Sequence, residues 1–195
     1  MLSCGSARQS WFGKRMMTTI EQYNTDWPRI FRDLGSKLRN AIGPTALRID
    51  HIGSTSIPNL AAKPIIDIQI SVSSFDPMEP YRLPLEELGF QYREKNPELT
   101  ERYFKEPNKS EERIHIHVRR AGSFSEQFPL LFRDYMRCHS DDASHYAQLK
   151  LRLAKQYRED RLGYTEAKEA FIWRTMQKAD RWAQDTGWEA GSSDA

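Results

Sequence analysis

The stretch His51-Ile-Gly-Ser-Thr-Ser-Ile-Pro-Asn-Leu-Ala-Ala-Lys-Pro-Ile-Ile-Asp-Ile-Gln-Ile-Ser-Val72 decides how this chain is read. From Ile65 to Val72 it alternates with period two: Ile66, Ile68, Ile70 and Val72 fall on one side, Asp67, Gln69 and Ser71 on the other. That is a strand with one core face and one face left to a site or to solvent. Gly53-Ser54-Thr55-Ser56 leaves the preceding segment directly. Glycine lets backbone N–H groups approach an anion closely and hydroxyls add donors, so this loop is a candidate phosphate contact. Asn59-Leu-Ala-Ala is expected to form one helical turn, ended at Lys63-Pro64 because a residue before proline is pushed out of the helical region. Lys63 then stands between loop and strand, where its ammonium can meet an anion.

Upstream, Ala46 to Ile52 sets Leu47, Ile49 and His51 against Arg48 and Asp50, the pattern of a half-buried strand with His51 on its core side. Before it, Thr25 or Asp26 as N-cap, Pro28 in the first turn and Ile30, Phe31, Leu34, Leu38, Ala41 and Ile42 at helical spacing predict an amphipathic helix ending near Gly43. Downstream, a helix stops at Gly89, and Phe90–Arg93 and Arg102–Lys105 read as short strands. Arg113-Ile-His-Ile-His-Val-Arg119 repeats the period-two pattern, with Ile114, Ile116 and Val118 toward the core and Arg113, His115, His117 and Arg119 opposite. His115 and His117 therefore share a face and can meet a common ligand, and they face Asp67 if the two strands are neighbours. Imidazole suits zinc, iron, nickel or manganese better than magnesium; the alternative uses are as phosphate-binding cations or as general acid and base. From Phe124 onward the apolar spacing is helical. Strands first and helices later predict an α+β fold, a mixed or antiparallel sheet backed by helices.

At 195 residues and 22.8 kDa the chain suits one domain. A mean hydropathy of −0.75 is polar, while 11% aromatic residues supply a core. The 29 basic residues are interleaved with 27 acidic ones, so no long-range field favours nucleic acid. Cys4 and Cys138 lie far apart and suggest neither disulfide nor metal knuckle, and a reducing cytoplasm is the expected compartment. No apolar run reaches the roughly eighteen residues of a spanning helix. Residues 1–20 carry Arg8, Lys14 and Arg15 without an acid, a composition shared with organellar transit peptides. The expected organisation is a flexible tail over 1–19, one domain over 20–186 with its sheet core to about 123 and a helical half from about 124, and a loose tail over 187–195.

His51-Ile-Gly-Ser-Thr-Ser with Pro-Ile-Ile-Asp67-Ile, His115-Ile-His117-Val, Phe132-Arg-Asp-Tyr and Tyr164-Thr-Glu-Ala-Lys168 together resemble the GrpB-like family, over roughly Ile20 to Ala179. The resemblance implies a nucleotidyltransferase (polymerase-beta-like) fold, in which a Gly-Ser loop holds a triphosphate and carboxylates on the following strands hold divalent metal. Carried onto this chain, it makes Gly53, Ser54 and Thr55 phosphate contacts and brings in Lys168; Lys63, by its place beside the loop, and Arg113, by its place on the histidine face, are read as further cations. Asp67, with Gln69, His115 and His117, becomes the metal set for magnesium or manganese, or for zinc or iron at the histidines. Asp67, His115 and His117 are the candidate catalytic residues, and the implied partner is a nucleotide or phosphorylated small molecule. Tyr164 and Lys168, four apart on a helix, would roof the cleft. The departure is Gln69, where such enzymes carry a second carboxylate to bracket metal ions. It leaves two alternatives to a nucleotidyltransferase: a binding module that has lost catalysis, and a histidine-carboxylate metalloenzyme.

Overall fold

The computed structural model describes residues 19–106 and 113–195; the expected N-terminal tail and targeting segment fall outside these except at their last residues. Helix α1 (Trp27–Ile42) opens with Pro28 in its first turn and buries Trp27, Phe31, Leu38 and Ile42 along one stripe. Five strands follow: β1 (Arg48–Ile52), β2 (Ile65–Val72), β3 (Gln91–Tyr92), β4 (Glu101–Lys105) and β5 (Arg113–Arg120), with α2 (Glu79–Glu87) between β2 and β3. The helical half is α3 (Phe124–Cys138), α4 (Ser140–Gln156), α5 (Arg161–Glu166) and α6 (Glu169–Thr186).

The sheet order is β1-β2-β5-β4-β3. β2 and β5 run parallel and every other pairing is antiparallel, so the sheet is mixed. The register sets Asp67 beside His115 and Gln69 beside His117, with Tyr103 and Lys105 of β4 on the far side of the histidines. One side chain in two from each strand therefore builds a single polar face. The opposite face, Ile49, Ile66, Ile68, Ile70, Val72, Ile114, Ile116 and Val118, packs on α1 and α2 as one core. Each such side chain taken from water contributes about 1.5–3 kcal/mol, so the pleat alone fixes the register strongly. A second core joins Ile57 and Leu60, from the segment after the Gly-Ser loop, to Tyr135, Met136, Tyr146 and Met176 of the helical half.

Four local expectations are corrected. β1 is buried on both faces: Ile49, Asp50, His51 and Ile52 are all buried, while Leu47 lies outside it and is exposed. α1 covers one side; on the other, Arg48 pairs with Asp50 at 2.9 Å and Arg133 of α3 lies 3.8 Å from it. Asn59 to Ala62 forms no helix; the tight turn falls instead on Ser54–Ser56, and Asn59 sits at φ 62. Tyr164 and Lys168 belong to different helices, since the chain breaks between α5 and α6. Residues 188–195 are no loose tail. After Gly187 turns the chain back with φ 64, the segment runs along β1: Ile49 N–H donates to Ser193 Oγ at 2.8 Å, His51 N–H to Asp194 at 2.9 Å and Ala195 N–H to Ile49 O at 3.1 Å. β1 is an edge strand, and its unpaired backbone groups are what the segment satisfies.

Candidate functional site

Gly53 is the residue that brings loop and strand together. It has φ 71, and a Cβ placed on it would collide with Asp67 Oδ2. Only a residue without a side chain lets the backbone cross the carboxylate so closely. Ser54 and Thr55 then enter the wall of a cavity of about 190 Å³, together with Lys63, Asp67, His115, Lys150, Arg161, Tyr164 and Lys168. The Thr55 hydroxyl is already engaged, donating to Ile65 O at 2.9 Å with His51 Nε2 3.0 Å away, so its side chain braces the loop. His51 faces the other way, stacked on Phe31 at 4.8 Å, and burial pushes its pKa down to about 3.

At the floor of the cavity, Asp67 Oδ1 lies 3.2 Å from His115 Nδ1 and 3.7 Å from His117 Nε2. One donor atom from each of these three residues lies within 4.8 Å of the others. Burial by itself pushes the Asp67 carboxyl up, but the imidazoles of His115 and His117 outweigh it and hold the group well below the usual carboxylate range. Burial opposes charge on His117 as well; its contacts with Asp67 and Glu101 win, and its pKa is raised. The Glu101 carboxylate accepts from His117 Nδ1 at 2.8 Å and from Arg119 at 3.0 Å. Against the effect of burial, these bring it down to about 2.

The opposite wall is cationic. Lys63 Nζ stands 4.1 Å and Lys168 Nζ 4.6 Å from the centre of the Tyr164 ring, so two ammonium groups pack against one aromatic ring. Lys150 is 2% exposed and its Nζ has no hydrogen-bond partner, only the Tyr146 ring at 4.7 Å. Burial, then neighbouring positive charge, lowers Lys63 to about 8 and Lys150 to about 7. Lys168 is lowered too, by burial first.

The structure thus joins Ser54, Thr55, Lys63, Asp67, His115 and Lys168 in the wall of one cavity, with Gly53 crossing over Asp67 and His117 3.7 Å from its carboxylate. It does not join two others. Arg113 is not among the residues lining the cavity and lies 3.7 Å from Glu106. Gln69 is fully buried, its amide donating to Glu126 O at 3.1 Å and accepting from Arg119 at 2.8 Å, so both ends are engaged by the protein. Glu101, Lys150 and Arg161 were not legible as site residues. Lys150 carried one signal: four residues after Tyr146 and three before Leu153, it occupies the apolar stripe of α4.

Fold and site define a class: a mixed-sheet α+β protein whose polar sheet face meets a helical half across a cleft of one carboxylate, two imidazoles and a set of amines. Within that class the chain belongs to the GrpB protein family, whose sequence model matches residues 17–178. It is 36% identical over 160 residues to the UPF0157 protein YqkA of Bacillus subtilis, covering 82% of this chain and 46% of that protein. It is 34% identical over 163 residues to the UPF0157 protein BH1888 of Halalkalibacterium halodurans, covering 83% and 82%. The crystal structure of the conserved protein GrpB from Enterococcus faecalis superposes with a TM-score of 0.76 at 29% identity, over 84% of this chain and 99% of that one. Among the described residues, no helix is long and apolar enough to cross a membrane.

Proposed function

We propose that this protein binds a nucleotide or another phosphorylated small molecule in the cleft, beside a divalent ion at Asp67, and transfers a nucleotidyl group to an acceptor. One observation carries the reading: an ionised carboxylate at the floor of a cavity of about 190 Å³ faces a wall holding Lys63, Lys150, Arg161 and Lys168. The three lysines are depressed by burial and by neighbouring positive charge, and a group bearing two negative charges offsets both effects. A phosphate monoester carries about −1.5 to −2 charge and three acceptor oxygens, and matches that demand. A divalent ion bound at Asp67 supplies Lewis-acid polarisation of a phosphoryl oxygen. The amines hold the remaining oxygens, and the Gly53 loop fixes where the phosphate stands relative to Asp67.

A second reading, binding without transfer, is favoured by Gln69, whose amide is committed to Glu126 and Arg119 where active relatives of this fold type need a second anion. Thermal-shift and calorimetric titrations of the full chain with nucleoside triphosphates, in magnesium and in manganese, test the binding. Stabilisation by several degrees is expected, lost in Lys150→Met and Lys168→Ala; indifference to every nucleotide with either ion would sink the proposal. Pyrophosphate release then separates transfer from binding.

A further inference from the structure

Enzymes of the type the sequence resembles hold metal with carboxylates spaced two apart on a strand, and here the second position is the committed amide of Gln69. Magnesium asks for oxygen ligands in octahedral array. Of the three donor residues clustered on this face, one is a carboxylate and two are imidazoles. Two donors held by one zinc ion at about 2.1 Å and the tetrahedral angle stand about 3.4 Å apart. The separations from Asp67 Oδ1, 3.2 Å to His115 Nδ1 and 3.7 Å to His117 Nε2, bracket that figure.

An ordinary ion pair would account for those distances, but one further feature points to a ligand. The Nδ1 of His117 is held at 2.8 Å by Glu101, and the same carboxylate oxygen takes Arg119 at 3.0 Å. A carboxylate on the outer nitrogen fixes the tautomer and ring orientation of a metal-binding histidine and leaves the inner lone pair free. His115 is 7% exposed and turns Nδ1 toward Asp67, while its Nε2, on the far side of the ring, is buried without a hydrogen-bond partner.

We infer that Asp67, His115 and His117 form a site for a single divalent ion of the zinc, iron(II) or manganese(II) class, in place of magnesium, and that Glu101 is the residue that positions His117. The inference deepens the preceding reading by naming the ion, and rests on that reading for the ion's role but not for its binding.

The test uses the full chain, stripped with a chelator, dialysed and titrated with cobalt(II) as a spectroscopic probe, followed by competition with zinc and magnesium. One cobalt per chain with visible d–d bands is expected, displaced by stoichiometric zinc and untouched by a large excess of magnesium. Asp67→Asn, His115→Asn and His117→Gln lose the bands. Glu101→Gln keeps one cobalt per chain and weakens it about 10–100-fold, while Cys138→Ser, which alters an exposed thiol, changes nothing. Displacement by magnesium at parity with zinc, or undiminished cobalt binding in His117→Gln, overturns the site. If a variant fails to fold by circular dichroism, the wild-type spectrum and competition decide alone. A nucleotide response without cobalt binding removes this inference and leaves the phosphate reading; cobalt binding without any nucleotide response does the reverse.

Discussion

Two single residues carry most of the chemical strain of the cleft. Lys150 keeps a buried ammonium without an acceptor, and a polar group left unmet in a protein interior costs about 1–3 kcal/mol. Its folded pKa, about 7, lies below its unfolded value, so the penalty is fully present below pH 7 and fades as pH rises toward the ordinary lysine range. Lys150→Met is therefore expected to stabilise the ligand-free protein by about 1–3 kcal/mol at pH 6.5 in urea unfolding; a variant less stable than the parent there contradicts the account. Sulfate, whose charge is constant near neutrality, should bind the wild type about tenfold or more weakly at pH 8.5 than at pH 6.5, because Lys150 and then Lys63, at about 8, lose their protons. Calorimetry at the two pH values reads this directly, and Lys150→Met should show weaker binding with a shallower pH dependence. Gly53 is the second such residue. Gly53→Ala puts a methyl where Asp67 Oδ2 lies and forces a side chain onto φ 71, so a loss of about 1–3 kcal/mol is expected. Metal-dependent stabilisation should disappear with it, and an unchanged melting temperature would show that the loop relaxes without cost.

Elements were legible where their signal is local. β2 and β5 announce themselves by strict alternation, and α1 by Pro28 and its apolar stripe, so the mixed sheet and its polar face follow from the sequence. What pairs across elements was not legible. Glu101 reaches His117 because β4 lies antiparallel to β5 with Glu101 opposite Arg119, a relation between residues sixteen positions apart that no window of sequence contains. The same limit explains residues 188–195. Their composition is that of a solvated tail, and their structure comes from the bare edge of β1 and from Arg133, buried at 3% and needing an anion. Asp194 answers both, accepting from Arg133 at 2.8 Å and from His51 N–H at 2.9 Å. Asp194→Ala should accordingly cost about 2–3 kcal/mol in urea unfolding and raise amide exchange at Ile49 and His51. A change near zero would mean that Asp134 and Asp50 suffice for Arg133.

At the scale of the molecule, the sheet has a titrating group on each face, and they act in separate pH windows. On the cleft face, His117 has a raised folded pKa, so its contribution is complete below pH 6.5 and is lost only as pH climbs through the raised value. Asp67 and Glu101, both depressed, lose their contributions only as pH falls through and below the ordinary carboxylate range. On the core face, His51 is held neutral between Phe31 and Thr55 with its pKa near 3. The unfolded chain takes up that proton near pH 6.5 while the folded one does not, so stability falls as pH drops from there, by up to about 1.4 kcal/mol per unit. Between pH 6.5 and about 5.5 this loss belongs chiefly to His51, since the depressed carboxylates are still ionised in both states there. His51→Gln, which can still bond Thr55, should flatten the urea-unfolding stability across that window even if it is less stable at pH 7. A slope unchanged by the substitution would show that the acid sensitivity resides on the cleft face instead.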